Sequence, residues 1–360
     1  MGVECCNKIP EKTSEAIYSC RFILCVMVVF IHSIIDAKDA DGVSEWVITI
    51  MHYISQVLCT IAVPGFMMFS SYLLFFKYKN SVDIKGQYIS NLKKKFKGLL
   101  IPYVIWNLVA LLWLFGRSVL KGDGSIYIPN IIETFSYVPK DGSFGLYPAD
   151  GPLWFIRDLI LLNILAPIFY VILRFKPKIW MVLILIIMVV FKMPEFLTFH
   201  RSLPPFLLGA TLGIMECDIA STLKRLKGGG ILLIAAASFI GYIVSKEFEC
   251  GLSYMVYNIF VTSSLFALFV LPRYIHKKKL ETLQQLSKYS FSVYAAHIMI
   301  VGYVSLILKI ILLKFLPSDF SFLITYFVSP CFTIIICICL DVVMHRYAPR
   351  LHAIITGSRN

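Results

Sequence analysis

Residues 17–35 read IYSCRFILCVMVVFIHSII, an apolar run interrupted by one arginine, Arg21, and one histidine, His32. An α-helix needs about 20 mostly apolar residues to cross the hydrocarbon core of a bilayer, so this run is long enough to span it. Nine further apolar runs follow, at about residues 54–76, 98–115, 153–173, 179–191, 202–215, 231–245, 252–271, 290–313 and 320–344. The pattern predicts an all-α, polytopic membrane helix bundle with about ten transmembrane helices.

The composition supports a membrane protein. Of the 360 residues, 58% are hydrophobic and 15% are charged, whereas soluble domains have about 45–50% apolar and about 25% charged residues. These values exclude an ordinary soluble enzyme, a disordered chain and a secreted disulfide scaffold. Because no long hydrophilic stretch separates the apolar runs, we expect residues 1–360 to form a single integral membrane domain.

The positive charges lie in short clusters between the apolar runs. The net charge is +13, but the basic residues do not line a single helix face or form a tail. We therefore do not expect a nucleic-acid partner. Lys/Arg-rich loops face the cytoplasm in most membrane proteins. With both termini in the cytoplasm, the basic loops lie inside at 77–97, 174–178, 224–227 and 273–288, and the acidic loops lie outside at 36–45 and 247–249. This predicts a multi-pass protein of the inner (cytoplasmic) membrane.

The longest predicted external loop covers residues 116–152. It is rich in Gly, Pro and Asp and contains several aromatic side chains. Long loops without regular structure are often functional. We therefore expect this loop to cap or line an external cleft.

Arg21 and His32 are eleven residues apart on the first predicted helix. This is close to three full turns, so both lie on one face, about 16–17 Å apart along the axis. Charged groups inside a membrane are costly and often functional. One interpretation makes His32 a general base and Arg21 a group that holds an anion. The alternative is that Arg21 reaches the inner headgroups and His32 is an ordinary interfacial residue.

The Arg-x10-His spacing of Arg21 and His32 resembles the signature of the acyltransferase-3 family of integral membrane acyltransferases. Further segments resemble that family in the same order: IAVPGFMMFSSYLL at 61–74, KKKFKGLLIPYVIW at 93–106, GPLWFIRDL at 151–159, FLLG at 206–209 and SFSVYAAH at 290–297. Ser71 departs from the usual pattern, which has glycine there. The resemblance covers about residues 15–345.

The resemblance implies an enzyme that moves an acyl group from acyl-CoA, with acetyl-CoA as the expected donor, to a hydroxyl of a glycan or other cell-envelope acceptor. Polysaccharide O-acetylation is the expected activity, with the lipid bilayer as the surrounding partner. His32 would act as general base, or as a transient acyl carrier, and Arg21 would support donor binding. No cluster of His and Cys has the spacing of a metal site, so we expect no metal.

Other candidate residues follow from the same segments. Lys94, Lys95 and Lys97 are candidates to dock the CoA phosphates, although cytoplasmic loops carry lysines in any case. His297 is a candidate to line the donor path, or else a buried histidine of the bundle.

Four neighbouring residues are candidates for acceptor binding. Trp154 and Phe155 would form a wall on which a sugar stacks, or else belong to the aromatic belt at the membrane interface. Arg157 and Asp158 are candidates for substrate contact, with a structural ion pair to another helix as the alternative.

Two other functions fit parts of the pattern. A secondary transporter also has ionisable residues and Pro- or Gly-broken helices within the membrane, and a non-catalytic membrane scaffold would tolerate the loss of His32. Because no internal repeat or clear pair of broken helices is visible, the sequence favours the acyltransferase.

Overall fold

A computed structural model describes residues 8–34, 42–79, 81, 83–121, 138–140, 143–145, 148–191, 201–225 and 228–357. Within these ranges the chain is almost entirely helical, as the sequence predicts. In its first half the helices are α1 Glu11–Ile31, α2 Glu45–His52, α3 Ala62–Lys79, α4 Ile84–Lys95, α5 Ile101–Lys121, α6 Trp154–Ile164, α7 Ala166–Leu173 and α8 Pro177–Val190. In its second half they are α9 Leu203–Ile214, α10 Ile219–Arg225, α11 Gly229–Glu247, α12 Ser253–Val270, α13 Lys277–Leu286, α14 Ser290–Leu312, α15 Ser318–Tyr347 and α16 Pro349–Thr356.

Short turns and one small hairpin complete the described structure. The π-helical turns are Tyr53–Leu58 and Phe96–Leu100, and the 3₁₀ turns are Cys59–Ile61, Gly151–Leu153, Leu271–Tyr274 and Ser287–Tyr289. Within the predicted external loop, β1 Val138–Lys140 pairs antiparallel with β2 Ser143–Gly145, with Val138 opposite Gly145. Residues 116–121, predicted to open that loop, instead belong to α5, and residues 122–137, 141–142 and 146–147 lie outside the described residues.

Among the described residues, seven helical stretches are long and apolar enough to span a membrane, or up to nine if each of two bent helix pairs is one span. The ten predicted apolar runs all fall on these stretches or on the shorter apolar helix Pro177–Val190, which has 14 residues. A polytopic membrane helix bundle is therefore confirmed. The number ten and the cytoplasmic termini stay predictions.

Two predicted spans are not straight. The fourth run bends by 59° between α6 and α7, and the sixth is followed by a bend of 86° between α9 and α10. Pro167 stands in the first turn of α7, where its missing N–H and its ring prevent α6 from continuing. At the second bend, Glu216 has a φ of 53°, the left-handed conformation in which helices commonly end.

The chain forms two compact units. The first contains Met1–Leu24, Ile61–Lys94 and Asp158–Ser287, and the second contains Cys25–Thr60, Lys95–Arg157 and Lys288–Asn360. Helix α1 passes from the first unit into the second between Leu24 and Cys25.

The first unit is held by close packing of α3 against α9. Gly209 and Gly213 of α9 lie against the backbone of α3, at Met68 and Tyr72 respectively. Phe75 of α3 adds an edge-to-face contact with Phe206, at 6.0 Å between ring centroids. Small residues four apart allow helix backbones to approach closely, which is how membrane helices gain packing energy.

The second unit has its own core. Val47, Met51, Phe322 and Tyr326 form a buried cluster between α2 and α15, and the Tyr326 hydroxyl lies 2.8 Å from Ser55 Oγ.

The last helix of the second unit, α16, is fixed at two points. Trp106 Nε1 of α5 donates to the Ile355 carbonyl at 3.1 Å, and His352 Nε2 lies 2.8 Å from Asp341 Oδ1 of α15. These side-chain contacts tie the C-terminal segment to two helices of its own unit.

Candidate active site

The second unit brings two histidines together. Helix α1 ends at Ile31, and the His32 N–H donates to the Val29 carbonyl at 3.2 Å. The imidazole of His32 lies next to that of His297 on α14, with ring centroids 5.2 Å apart and planes inclined by 49°. The two residues were predicted to have separate roles, as base and as a lining of the donor path. The structure places them side by side.

The protonation of His297 follows from its neighbours. Its side chain is completely buried, and Nδ1 lies 2.7 Å from the Tyr294 carbonyl and 3.2 Å from the Val293 carbonyl. Because carbonyl oxygens only accept hydrogen bonds, Nδ1 carries the proton. In the neutral ring Nε2 then has a lone pair, and it has no hydrogen-bond partner among the described residues. His297 therefore presents a hydrogen-bond acceptor inside the protein.

Tyr294 joins this pair to the segment before α6. Its hydroxyl donates to the Pro152 carbonyl, and its ring lies 6.1 Å from His297 and 5.8 Å from Phe155. Of the predicted acceptor-binding residues, Phe155 is thus one contact away from the histidine pair. Tyr294 was not predicted as a site residue, although its position one turn before His297 is visible in the sequence.

Asp150 is a second residue that sequence reasoning missed. It is 1% exposed, and neither carboxyl oxygen has a hydrogen-bond partner among the described residues. Its N–H donates to Asn107 Oδ1 at 3.4 Å. Burial raises the pKa of the Asp150 carboxyl to about 8, because a charged carboxylate is poorly solvated there. No sequence signal marks this residue, since it is one of several Asp residues in a Gly- and Pro-rich loop.

We expect Asp150 to make stability fall as pH rises. An unfolded Asp ionises near pH 4, whereas folded Asp150 keeps its proton until about pH 8. Between these values the folded state binds more protons, so the free energy of unfolding decreases with pH. Melting temperatures of purified protein measured between pH 5 and pH 9 should therefore fall more steeply for wild type than for Asp150→Asn. Equal slopes in the two proteins would contradict the buried, neutral carboxyl.

The first unit contains Arg21 and Asp158. The Arg21 guanidinium is partly buried in α1 and lies over the ring of Tyr18, 4.7 Å from its centroid. Asp158 is fully buried, and its Oδ2 accepts a hydrogen bond from Ser202 Oγ at 2.7 Å. One carboxylate oxygen of Asp158 is thus used within the protein, by a serine rather than by the cation of an ion pair, and its substrate contact stays a prediction.

The remaining candidates differ in exposure. Lys94 and Lys97 are exposed, whereas Lys95 is half-buried. Arg157 is 8% exposed and Trp154 is half-buried. The exposed lysines are accessible to an anionic ligand, whereas Arg157 belongs to the interior.

Comparison with known proteins agrees with the resemblance noted in the sequence. A family model described as an acyltransferase domain matches residues 15–342. The chain is also similar to the succinoglycan biosynthesis protein ExoH of Rhizobium meliloti (strain 1021), with 24% identity over 368 residues that cover 98% of this chain and 94% of ExoH. No solved structure matches.

The family match decides between the functions that the sequence left open. It covers nearly the whole chain, including Arg21 on α1, His32 directly after α1 and His297 on α14. The prediction of an O-acyltransferase, rather than a secondary transporter, is thereby confirmed. The chain belongs to the acyltransferase-3 family of membrane acyltransferases.

Proposed function

We propose that this acyltransferase moves an acyl group, with acetyl from acetyl-CoA as the expected case, to a hydroxyl group of a cell-envelope polysaccharide. The observation that supports it best is the contact between His32 and His297, with ring centroids 5.2 Å apart. A base whose orientation is set by a second group is the arrangement that activates a hydroxyl for acyl transfer. The similarity to a succinoglycan biosynthesis protein supports a polysaccharide acceptor.

In this proposal His32 is the general base. It takes the proton of the acceptor hydroxyl while the hydroxyl oxygen bonds to the thioester carbonyl carbon. The carbon–sulfur bond then breaks, and the leaving CoA thiolate takes the proton from the His32 imidazolium. The products are an ester and free CoA, and His32 returns to its neutral form.

His297 has a positioning role in the same proposal. Its Nε2 accepts a hydrogen bond from one ring nitrogen of His32, so that the other nitrogen of His32 faces the hydroxyl without a proton. Nε2 of His297 has no hydrogen-bond partner among the described side chains. The two rings are neighbours, with centroids 5.2 Å apart, and catalytic hydrogen bonds often tighten only when substrate is bound.

The basic residues are proposed to hold the donor. The ammonium groups of Lys94, Lys95 and Lys97 are suited to the CoA phosphates, with two of them exposed. The guanidinium of Arg21 offers a planar set of donors that matches a phosphate group. The predicted topology, with these lysines on the cytoplasmic side, agrees with a donor that is made in the cytoplasm.

The test is transfer by purified protein in nanodiscs with radiolabelled acetyl-CoA and the envelope glycan fraction of the host cells. We expect release of one free thiol for each acetyl group that appears on glycan, and loss of the label under mild alkali, which cleaves esters but leaves amides. Nanodiscs without protein are the control, and longer acyl-CoAs test the acyl group. Thiol release without labelled glycan, or alkali-stable label, would contradict the proposal.

A further inference from the structure

The carboxyl group of Asp150 is buried and has no hydrogen-bond partner in the part of the chain that the structure describes. Both of its oxygens lack hydrogen-bond partners among the described residues, and the residue is 1% exposed. Polar groups in protein interiors are nearly always hydrogen-bonded, because an unsatisfied one costs free energy. A buried carboxyl of this kind therefore needs an explanation, and a ligand that supplies the missing partners is one.

The Asp150 side chain does not cap the turn that follows it. Asp150 immediately precedes the 3₁₀ turn Gly151–Leu153, where an Asp side chain commonly caps the first N–H groups. No such side-chain bond is made. The Leu153 N–H instead bonds to the backbone carbonyl of Asp150 at 2.9 Å. The carboxyl is thus left available for another group.

The backbone of Asp150 is nevertheless held in place. Its N–H donates to Asn107 Oδ1 at 3.4 Å, and Asn107 Nδ2 donates to the Tyr103 carbonyl at 2.8 Å. Asn107 is fully buried on α5. A fixed backbone with an unpaired side chain is typical of a binding group that is oriented before its ligand arrives.

The same segment is linked to the histidine pair. Two residues after Asp150, the Pro152 carbonyl accepts the hydroxyl of Tyr294, whose own carbonyl accepts Nδ1–H of His297. All of these residues belong to the second unit. The segment that carries Asp150 is therefore connected through Tyr294 to His297, which lies next to His32.

We propose that Asp150 binds a hydroxyl group of the acceptor sugar and so positions the acceptor beside His32 and His297. This inference rests on the proposed function. A buried carboxylic acid donates one hydrogen bond and accepts others, which matches the donor and acceptor character of a hydroxyl. The anionic phosphates of CoA would gain nothing from a carboxyl, and Asp150 lies in the loop predicted to be external, opposite the donor side.

The experiment compares Asp150→Leu and Asp150→Asn with wild type. The acceptor is the host-cell glycan fraction that the wild-type protein labels from acetyl-CoA. We expect Asp150→Leu to raise the KM for this glycan by about 10–100-fold, the range for losing a hydrogen bond to a buried polar group. The KM for acetyl-CoA should stay within about twofold. Asp150→Asn keeps a donor and an acceptor in a different arrangement, so its glycan KM should rise by about 2–10-fold, less than that of Asp150→Leu.

Glu281→Gln is the matched control, because Glu281 is an exposed carboxylate on α13. A melting temperature is measured for each variant, and Asp150→Asn is close in shape to the neutral acid, so it reports on binding even if Asp150→Leu does not fold. Unchanged glycan KM in a folded Asp150 variant would overturn the inference alone. Absence of any labelled glycan with the wild type would overturn the proposed function, and the inference with it.

Discussion

Replacing His32 by alanine will lower the rate of acyl transfer by about 10²–10⁴-fold, the range that a positioned general base contributes. The loss is expected in kcat, since the imidazole acts on the hydroxyl proton only as the ester bond forms. Binding of acetyl-CoA should change little. The measurement is the rate of radiolabel transfer to glycan at saturating acetyl-CoA.

His276→Ala is the matched control for this prediction. His276 is an exposed histidine just before α13, and its backbone carbonyl, which the substitution keeps, accepts the Leu280 N–H. It should transfer acetyl groups at the wild-type rate. If His32→Ala is folded and keeps more than a tenth of the activity, His32 is not the base.

Two substitutions at His297 distinguish two possible roles of this side chain. In one role it accepts a hydrogen bond from His32, and in the other it takes up the proton of the acceptor hydroxyl. In His297→Gln the amide oxygen reaches the position of Nε2 and accepts a hydrogen bond, whereas His297→Leu has no acceptor there. We expect a loss of about 10²-fold or more in the leucine variant and less than about tenfold in the glutamine variant. Equal and large losses would show that His297 itself takes up the proton.

The fold was predictable to the level of its helices because the bilayer sets their length and composition. The bends in the helices were harder to predict from the sequence. Pro167 is a visible helix breaker, yet prolines also occur inside continuous membrane helices, as Pro330 does in α15. Glu216 adopts a left-handed conformation, which is usually predicted from a glycine, and this position has none.

The candidate site was less predictable than the fold. The sequence predicts Arg21 and His32 on one face of the first helix, but α1 ends at Ile31, one residue before His32. The pairing of His32 with His297 depends on how α1 and α14 pack, and no periodicity in the sequence reports a contact over 265 residues. Asp150 was missed for another reason: its importance lies in burial without partners, and composition gives no measure of burial within a polar loop.

Replacing Gly213 by leucine will prevent the first unit from folding. A Cβ atom at Gly213 would lie 2.6 Å from the Tyr72 carbonyl oxygen and 2.9 Å from the Phe76 nitrogen. Both atoms belong to the backbone of α3, which cannot yield as a side chain can. Helices α3 and α9 must therefore separate, and the packing that small residues provide in a membrane bundle is lost.

Alanine and leucine variants of two glycines test this expectation. Gly230 is the matched control in the same unit, because a Cβ there has no neighbour within 4 Å. Gly213→Ala should lose about 1–3 kcal/mol of stability by overpacking, whereas Gly230→Ala should gain up to about 1 kcal/mol from the better helix former. In size-exclusion chromatography, Gly230→Leu should elute in the monodisperse peak of the wild-type protein, and Gly213→Leu should be absent from that peak. If Gly213→Leu elutes with wild type and melts at the same temperature, the close approach of α3 and α9 is wrong.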